Sequence, residues 1–260
     1  LYKYAELSDD ETYKAWHFTS YDNPLLDPLE IDTAKQSMSS YAFRQEFMAS
    51  FEALGSEIFK EDWVSFDNDE PDDGDYYIAV DLAGFADVAN ARTAKSRKLD
   101  TTAIVIVKAN QDGWWVADIV YGRWDIKKTS RKIFEAVDAY KPIAVGIEKG
   151  ALKNAVLPYL TDLMKSNQRF FRVEELTHGN KKKTDRIVWA LQGRFEHKQI
   201  TLSEGEWNKE FLDQLFQFPN PLVHDDLVDA LAYIDQLAKV AYHYDFEEDE
   251  LEIIDPVAGY

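Results

Sequence analysis

The stretch Tyr76-Tyr77-Ile78-Ala79-Val80-Asp81-Leu82 decides the fold class of this chain of 260 residues. It is almost continuously apolar and rich in aromatic and β-branched residues, which is typical of a central strand buried on both faces. One carboxylate, that of Asp81, interrupts the run near its end. A carboxylate at such a position is costly unless it is paired or bound to a metal ion. The stretch therefore predicts a buried strand. Taken alone, Asp81 is either a functional acid or a strand-end acid that reaches solvent or caps a helix.

Four more strands are predicted after this one, and helices separate the later strands. Strands joined by turns pair antiparallel, whereas strands joined through a helix pair parallel. The order therefore predicts an α/β fold, a mixed five-stranded sheet flanked by helices. The predicted strands are residues 76–82, 102–107, 114–121, 143–148 and 171–176, and the predicted helices follow Asp125 as N-cap or begin near residues 151, 181, 206 and 225.

The charge of the chain is unevenly distributed. Residues 1–75 carry 19 acidic and 5 basic side chains, and residues 241–260 carry 7 acidic and no basic ones. Residues 76–240 keep 22 acids and 24 bases, so the formal net charge of −19 does not exclude a polyanionic partner for the central part. We predict a helical N-terminal connector over residues 1–75, a catalytic domain over residues 76–243 and an acidic tail over residues 244–260.

Several classes of protein are excluded by composition. The chain has no cysteine, which excludes disulfide bonds, zinc sites built on thiolates and cysteine nucleophiles. It has no apolar run of membrane-spanning length, so we predict no transmembrane helix and no membrane partner. It begins with Leu1 rather than Met, which we interpret as a piece of a longer chain.

Further acids occur at the end of a later apolar run and at the start of the last predicted helix. Glu148 ends the apolar run of residues 143–147, and three aspartates open the last predicted helix in His224-Asp225-Asp226-Leu227-Val228-Asp229-Ala230. Oxygen ligands without thiolates suit Mg²⁺ or Mn²⁺, and a pair of such ions is the usual clamp for phosphodiester hydrolysis. Asp226 and Asp229 are three residues apart and share a helix face, so we expect both to bind the same metal ion.

Two residues directly before this aspartate pair have other expected roles. Asp225 is expected to point away from Asp226 and Asp229 and to cap the helix through its carboxylate. His224 is a possible ligand or proton donor, although a histidine where a helix begins is more often structural.

Seven motifs stand in one order along the chain. They are Tyr21-Asp22-Asn23-Pro24, Phe43-Arg44-Gln45-Glu46-Phe47, Tyr77-Ile78-Ala79-Val80-Asp81-Leu82, Asp100-Thr101-Thr102-Ala103, Val145-Gly146-Ile147-Glu148, Lys183-Thr184-Asp185-Arg186-Ile187 and the aspartate motif at 224–230. In this order and spacing the chain resembles the nuclease domain of the large terminase subunit, the genome-packaging motor of tailed phages and prophages. The resemblance implies an RNase H-like, RuvC-type fold. It also implies metal-dependent cleavage of double-stranded DNA with little sequence specificity, by two ions held by Asp81, Glu148, Asp226 and Asp229.

The same resemblance implies partners and a location. The full subunit of that family also has an N-terminal packaging ATPase, yet the chain contains no G-x-x-x-x-G-K-[ST] phosphate loop. Residues 1–75 would therefore be the connector from an ATPase domain that this sequence does not include. The small terminase subunit and the portal are the other partners implied, and the host cell cytoplasm is the implied location.

Two basic segments are candidates for contacts with DNA phosphates. The first contains Arg97 and Lys98, and the second contains Lys182, Lys183 and Arg186. A basic loop beside a metal site neutralises phosphates without reading the base sequence. The alternative for both segments is a loop that is merely solvated.

Three other functions remain open from the sequence. A junction resolvase or a transposase-like nuclease would use the same carboxylates on a different DNA substrate. An actin-like ATPase would use Asp81-Leu82-Ala83-Gly84 as a phosphate loop, but it needs a second glycine-rich loop that 11 scattered glycines do not supply. A non-catalytic docking module would use the acids structurally.

Overall fold

The computed structural model describes residues 16–50, 58–83, 101–177, 182–220 and 223–238. Two short 3₁₀ helices, Ser20–Asp22 and Glu61–Trp63, lie in the N-terminal part. The strands are β1 (Ser65–Phe66), β2 (Asp75–Asp81), β3 (Thr102–Ala109), β4 (Trp114–Gly122), β5 (Ala144–Glu148), β6 (Val173–Leu176) and β7 (Ile200–Leu202). The helices are α1 (Pro28–Ser37), α2 (Ser40–Glu46), α3 (Ile126–Tyr140), α4 (Ala151–Ser166), α5 (Lys183–Glu196), α6 (Asn208–Gln217) and α7 (Asp226–Ala232).

The strands form one mixed sheet in the order β1-β7-β4-β3-β2-β5-β6. The pairs β2–β3 and β3–β4 are antiparallel and the pairs β2–β5 and β5–β6 are parallel, as the order of elements predicted. The pairs β1–β7 and β4–β7 are also parallel. The strand count of five was wrong, because the sheet has seven strands. The two missed strands, β1 and β7, have only two and three residues, too few for a recognisable alternation of apolar and polar side chains.

The two faces of the sheet carry separate hydrophobic cores. In β2, Tyr77 and Ala79 belong to the core that includes residues of α5, α6 and α7. The alternate residues, Ile78 and Val80, belong to the core that includes residues of α3 and α4. This alternation fixes which helices each side chain of β2 faces.

Helix α3 begins as the sequence predicted. The Asp125 side chain accepts a hydrogen bond from the backbone N–H of Lys128 at 2.7 Å, which is the expected N-cap contact. The helix buries Ile133 and Val137, one turn apart, against the sheet. The prediction of Asp125 as N-cap is therefore confirmed.

The helical part of the N-terminal segment is attached to the end of α5. Ser40 donates from its backbone N–H and its hydroxyl to the Glu196 carboxylate, at 2.9 and 2.5 Å. A β-carbon on Gly193 would lie 2.6 Å from the backbone nitrogen of Ser39, so only glycine permits this approach. Two residues of the predicted connector, those of β1, also pair with β7 in the sheet.

The remaining domain predictions fall largely outside the described residues. The acidic tail at 244–260 lies outside them entirely, and the boundary at residue 75 stays a prediction. No helix in the described part of the chain is both long and apolar enough to cross a membrane.

Candidate active site

Two strand acids meet at one end of the sheet. Val80 of β2 pairs with Ile147 of β5, so the next residues, Asp81 and Glu148, are neighbours where these parallel strands end. Asp81 shares a strand face with Ala79, in the core on the side of α7, and Glu148 lies opposite Ile147, in the core on the other side. Both carboxylates therefore project from the face that α7 covers. Helix α7 packs on β2 and β3 at this place.

Asp229 is the residue of α7 that joins these acids. Its side chain is almost inaccessible, at 3% exposure, and each of its oxygens faces a cation. Arg186 of α5 donates from Nη2 to Oδ1, and Lys183 Nζ lies 3.0 Å from Oδ2. A buried carboxylate held by two cations is compatible with the cost of burying its charge.

The electrostatics of Asp81 link the three carboxylates. Burial raises the pKa of Asp81 well above its ordinary value. The negative charge of Asp229 and the hydrogen bond and charge of Glu148 raise this pKa further, while Lys183 lowers it. Asp81 therefore lies close to both Glu148 and Asp229, and we name these three acids the carboxylate cluster.

Asp225 differs from the expectation that it would point elsewhere and cap the helix. It occupies the N-cap position of α7, but its side chain makes no capping hydrogen bond. Its Oδ1 instead accepts a hydrogen bond from Lys183 Nζ at 2.7 Å. Asp225 and Asp229 therefore face the same ammonium group, one helical turn apart.

Asp226 is held on a different side of the helix. It is 5% exposed, and its Oδ2 accepts a hydrogen bond from the backbone N–H of Thr101 at 2.7 Å. His224 Nδ1 lies 3.8 Å from the same oxygen. Thr101 directly precedes β3, so this contact anchors α7 at the same end of the sheet as Asp81. The assignment of Asp226 and His224 as metal ligands stays a prediction.

The basic residues predicted to bind DNA fall into three environments. Arg186 is 8% exposed, and its guanidinium carbon lies 4.1 Å from the centre of the Tyr233 ring, so it is an interior residue bound to Asp229. Lys182 is exposed at the start of α5, and Lys183 is partly exposed beside the cluster. Arg97 and Lys98 lie outside the described residues. An interior guanidinium is poorly disposed to contact a phosphate, so Arg186 does not suit the role predicted for it.

Two charged or polar groups beside the cluster have shifted pKa values. Burial alone would lower the pKa of Lys183, but the charges of Asp229 and Asp225 and its hydrogen bonds to both raise it overall. Burial raises the pKa of Tyr233, Arg186 lowers it, and the charges of the three clustered carboxylates raise it again. Lys183 is therefore fully protonated and Tyr233 fully neutral near neutral pH.

Sequence reasoning did not find the role of Tyr233 or of the Thr101 backbone. The contact between Arg186 and Asp229 could have been suspected from the sequence. Lys183 and Arg186 are three residues apart, so they share one face of α5, the face that meets α7. Tyr233 follows the apolar part of α7 and offers no signal of its own.

The chemistry of the cluster fits a hard divalent cation. It consists of carboxylate oxygens without sulfur, and the mutual repulsion of three buried acids is what such an ion relieves. Across residues 16–50, 58–83, 101–177, 182–220 and 223–238, however, no group of three or more His, Asp or Glu side chains has the arrangement that a metal ion needs. Lys183 and Arg186 instead supply the positive charge at Asp229.

Comparisons with known proteins identify the relatives of this architecture. The family model of the terminase RNaseH-like domain matches residues 84–235. A comparison with curated protein sequences gave no match. The large terminase from the thermophilic bacteriophage D6E aligns with a TM-score of 0.58 and 11% identity, covering 87% of this chain and 55% of that chain. The human cytomegalovirus terminase nuclease domain, soaked with Mn and bound to an inhibitor, aligns with a TM-score of 0.52 and 12% identity, covering 72% of this chain and 97% of that chain.

These comparisons agree with the mixed sheet and its flanking helices. The chain spans about half the length of the D6E large terminase that it matches. The structural likeness shows the RNase H-like fold, and the family model covers more than half of the residues. The chain therefore belongs to the terminase RNaseH-like domain family.

Proposed function

We propose that this chain is a metal-dependent endonuclease that hydrolyses the phosphodiester bonds of double-stranded DNA with little sequence specificity. The observation that carries the proposal is the convergence of Asp81, Glu148 and Asp229 from two strand ends and a helix. Burial, the charge of Asp229 and the hydrogen bond and charge of Glu148 all raise the pKa of Asp81, as expected for acids that lie close together. Membership of the terminase RNaseH-like family supports the same reaction class.

The proposed cofactor is Mg²⁺ or Mn²⁺, with two ions taking part. Asp81, Glu148 and Asp229 would hold the ions, and Asp226 would be a further ligand. Divalent ions supply Lewis-acid stabilisation of the charge that develops on phosphate oxygens during hydrolysis. The oxygen-only donor set supports this choice, and the cytomegalovirus relative was studied after soaking with Mn.

The protein contributes the orientation of these acids. Arg186 fixes Oδ1 of Asp229, and the Thr101 backbone fixes Oδ2 of Asp226. Groups held by buried contacts of this kind lose little conformational entropy when they bind a substrate or ion. We propose that exposed Lys182, together with Arg97 and Lys98, contacts the DNA backbone, which gives salt-dependent binding without base recognition.

The proposed biological setting is the cutting of viral DNA during genome packaging. In this setting the domain is part of a longer subunit with an N-terminal ATPase domain, and the small terminase subunit and portal are its partners. The proposed location is the host cell cytoplasm. The half-length match to the D6E large terminase supports the longer subunit.

The test is cleavage of plasmid DNA by the purified chain. We expect nicking and degradation with Mg²⁺ or Mn²⁺ and none with EDTA, and we expect Asp81→Asn and Glu148→Gln to lose most of the rate. Asp162→Asn, an exposed acid on α4, is the matched control and should cleave normally. Equal cleavage in EDTA would refute metal dependence, and a strong preference for four-way junctions over linear duplex would favour a resolvase.

A further inference from the structure

The two oxygens of Asp229 have partners of different character. Oδ1 is bound by Arg186, whose side chain is 9% exposed and stacks on fully buried Tyr233. Oδ2 faces Lys183 Nζ at 3.0 Å, and the Lys183 side chain is 41% exposed. Moving Arg186 requires breaking an interior contact, whereas Lys183 can turn toward water.

The second partner of Lys183 is Asp225, which is more exposed to solvent than Asp229. Lys183 Nζ lies 2.7 Å from Oδ1 of Asp225, whose side chain is 30% exposed. The ammonium group therefore spans the space between the buried Asp229 and the more accessible Asp225. Ion pairs at this degree of exposure are weak and break at small cost.

Lys183 is the more exposed of the two cations that pair with Asp229, and its charge opposes repulsion within the carboxylate cluster. The nearby acids Asp229 and Glu148 raise the pKa of Asp81, whereas the charge of Lys183 lowers it. A divalent cation placed among these carboxylates would also reduce their mutual repulsion, and it carries twice the charge of the ammonium group. It would also need oxygen atoms of Asp229, one of which faces the ammonium group.

We propose that Lys183 is an internal counter-ion that occupies the Oδ2 side of Asp229 and is displaced when a divalent cation binds. This inference rests on the proposed function, since it assumes that the carboxylate cluster is the metal site. Lys183 stabilises the cluster without metal and competes with metal for Asp229. Arg186 stays in place and keeps Oδ1 of Asp229 oriented.

The experiment measures Mn²⁺ affinity in the absence of DNA, by electron paramagnetic resonance of the free ion. Lys183→Met, which keeps the apolar stem without the charge, should bind Mn²⁺ about tenfold more tightly, because the contacts of Lys183 with Asp225 and with the buried Asp229 no longer have to be broken. Lys183→Arg, which keeps the charge, should stay close to the wild type. Lys182→Met is the matched control, because it removes the preceding lysine at the start of α5.

The outcomes separate this inference from the proposed function. Mn²⁺ binding with the same or weaker affinity in Lys183→Met than in Lys182→Met would overturn the counter-ion role alone. If neither the wild type nor Lys183→Met binds Mn²⁺, the proposed metal site and the inference both fail. Lys183→Gln gives a second uncharged variant, and circular dichroism checks that each variant is folded before affinities are compared.

Discussion

Replacing Arg186 by methionine tests the interior ion pair on which the orientation of Asp229 depends. The two side chains are 9% and 3% exposed, and removing one partner of such a buried pair costs about 3–5 kcal/mol. Lys183 remains beside Oδ2 of Asp229, so we expect the lower end of that range, about 3 kcal/mol. For a chain of this length the loss corresponds to a fall in Tm of about 6–12 °C.

The same helix provides a matched control for this variant. Arg194 also stacks on an aromatic ring, that of Trp114 at 4.3 Å, and also pairs with an aspartate, Asp235 at 3.0 Å. Its pair is more accessible, at 29% and 18% exposure, so Arg194→Met should cost only about 1–2 kcal/mol. Both variants would be unfolded with urea in EDTA and followed by circular dichroism.

The double variant Arg186→Met with Asp229→Leu sharpens the test. Within the described residues, Nε and Nη1 of Arg186 are buried without a hydrogen-bond partner, so the guanidinium is itself costly to bury. Replacing both members of a buried pair by apolar residues is often neutral or stabilising, so the double variant should recover most of the lost stability. An Arg194→Met loss equal to or larger than that of Arg186→Met would refute the interior role of Arg186.

Three further outcomes follow from the geometry. Because the pKa of Asp81 is raised in the folded state, the wild-type free energy of unfolding falls as pH rises from the ordinary carboxyl pKa through the raised one. The stability of Asp81→Asn relative to wild type should therefore increase with pH, measured by urea unfolding in EDTA at a series of pH values that starts near the ordinary carboxyl pKa. Gly193→Ala should lower the free energy of unfolding by about 1–3 kcal/mol, because its β-carbon would meet the backbone before α2. Gly150 has open space around it, so Gly150→Ala should show no such loss in thermal melts. In plasmid cleavage, Asp229→Asn should lose most of the rate and Asp225→Asn about tenfold or less, because Asp225 acts through Lys183; equal losses would contradict this order.

The core of the fold was predictable because it depends on local patterns. An apolar run interrupted by one acid identified β2, and the order of turns and helices predicted which strands pair antiparallel. Strand β7 was not predictable in this way, because its three residues are stabilised by pairing with β4 and β1, which are distant in sequence. Strand pairing of this kind leaves no periodic signal within the strand itself.

The strand acids of the site were predictable for a physical reason. A carboxylate next to buried apolar residues needs a partner, and both Asp81 and Glu148 end such runs. The register that makes them neighbours follows from the parallel pairing of β2 with β5. The interior position of Arg186 was missed, since a basic residue at the start of a helix usually faces solvent, and its stacking partner Tyr233 comes from a different helical segment.

The arrangement of the three α7 aspartates follows from the helix itself once Asp229 is taken as the reference. Successive residues are about 100° apart around a helix, so Asp225 lies about 40° from Asp229 on one side and Asp226 about 60° from it on the other. The prediction paired the residues three apart and overlooked that a spacing of four brings them closer still. The contacts match this order: Asp225 shares Lys183 with Asp229, and Asp226 turns to the Thr101 backbone on the other side. Asp229 is thus the central acid of the helix: it contacts both the buried Arg186 and the more exposed Lys183, and its loss should disturb the site most.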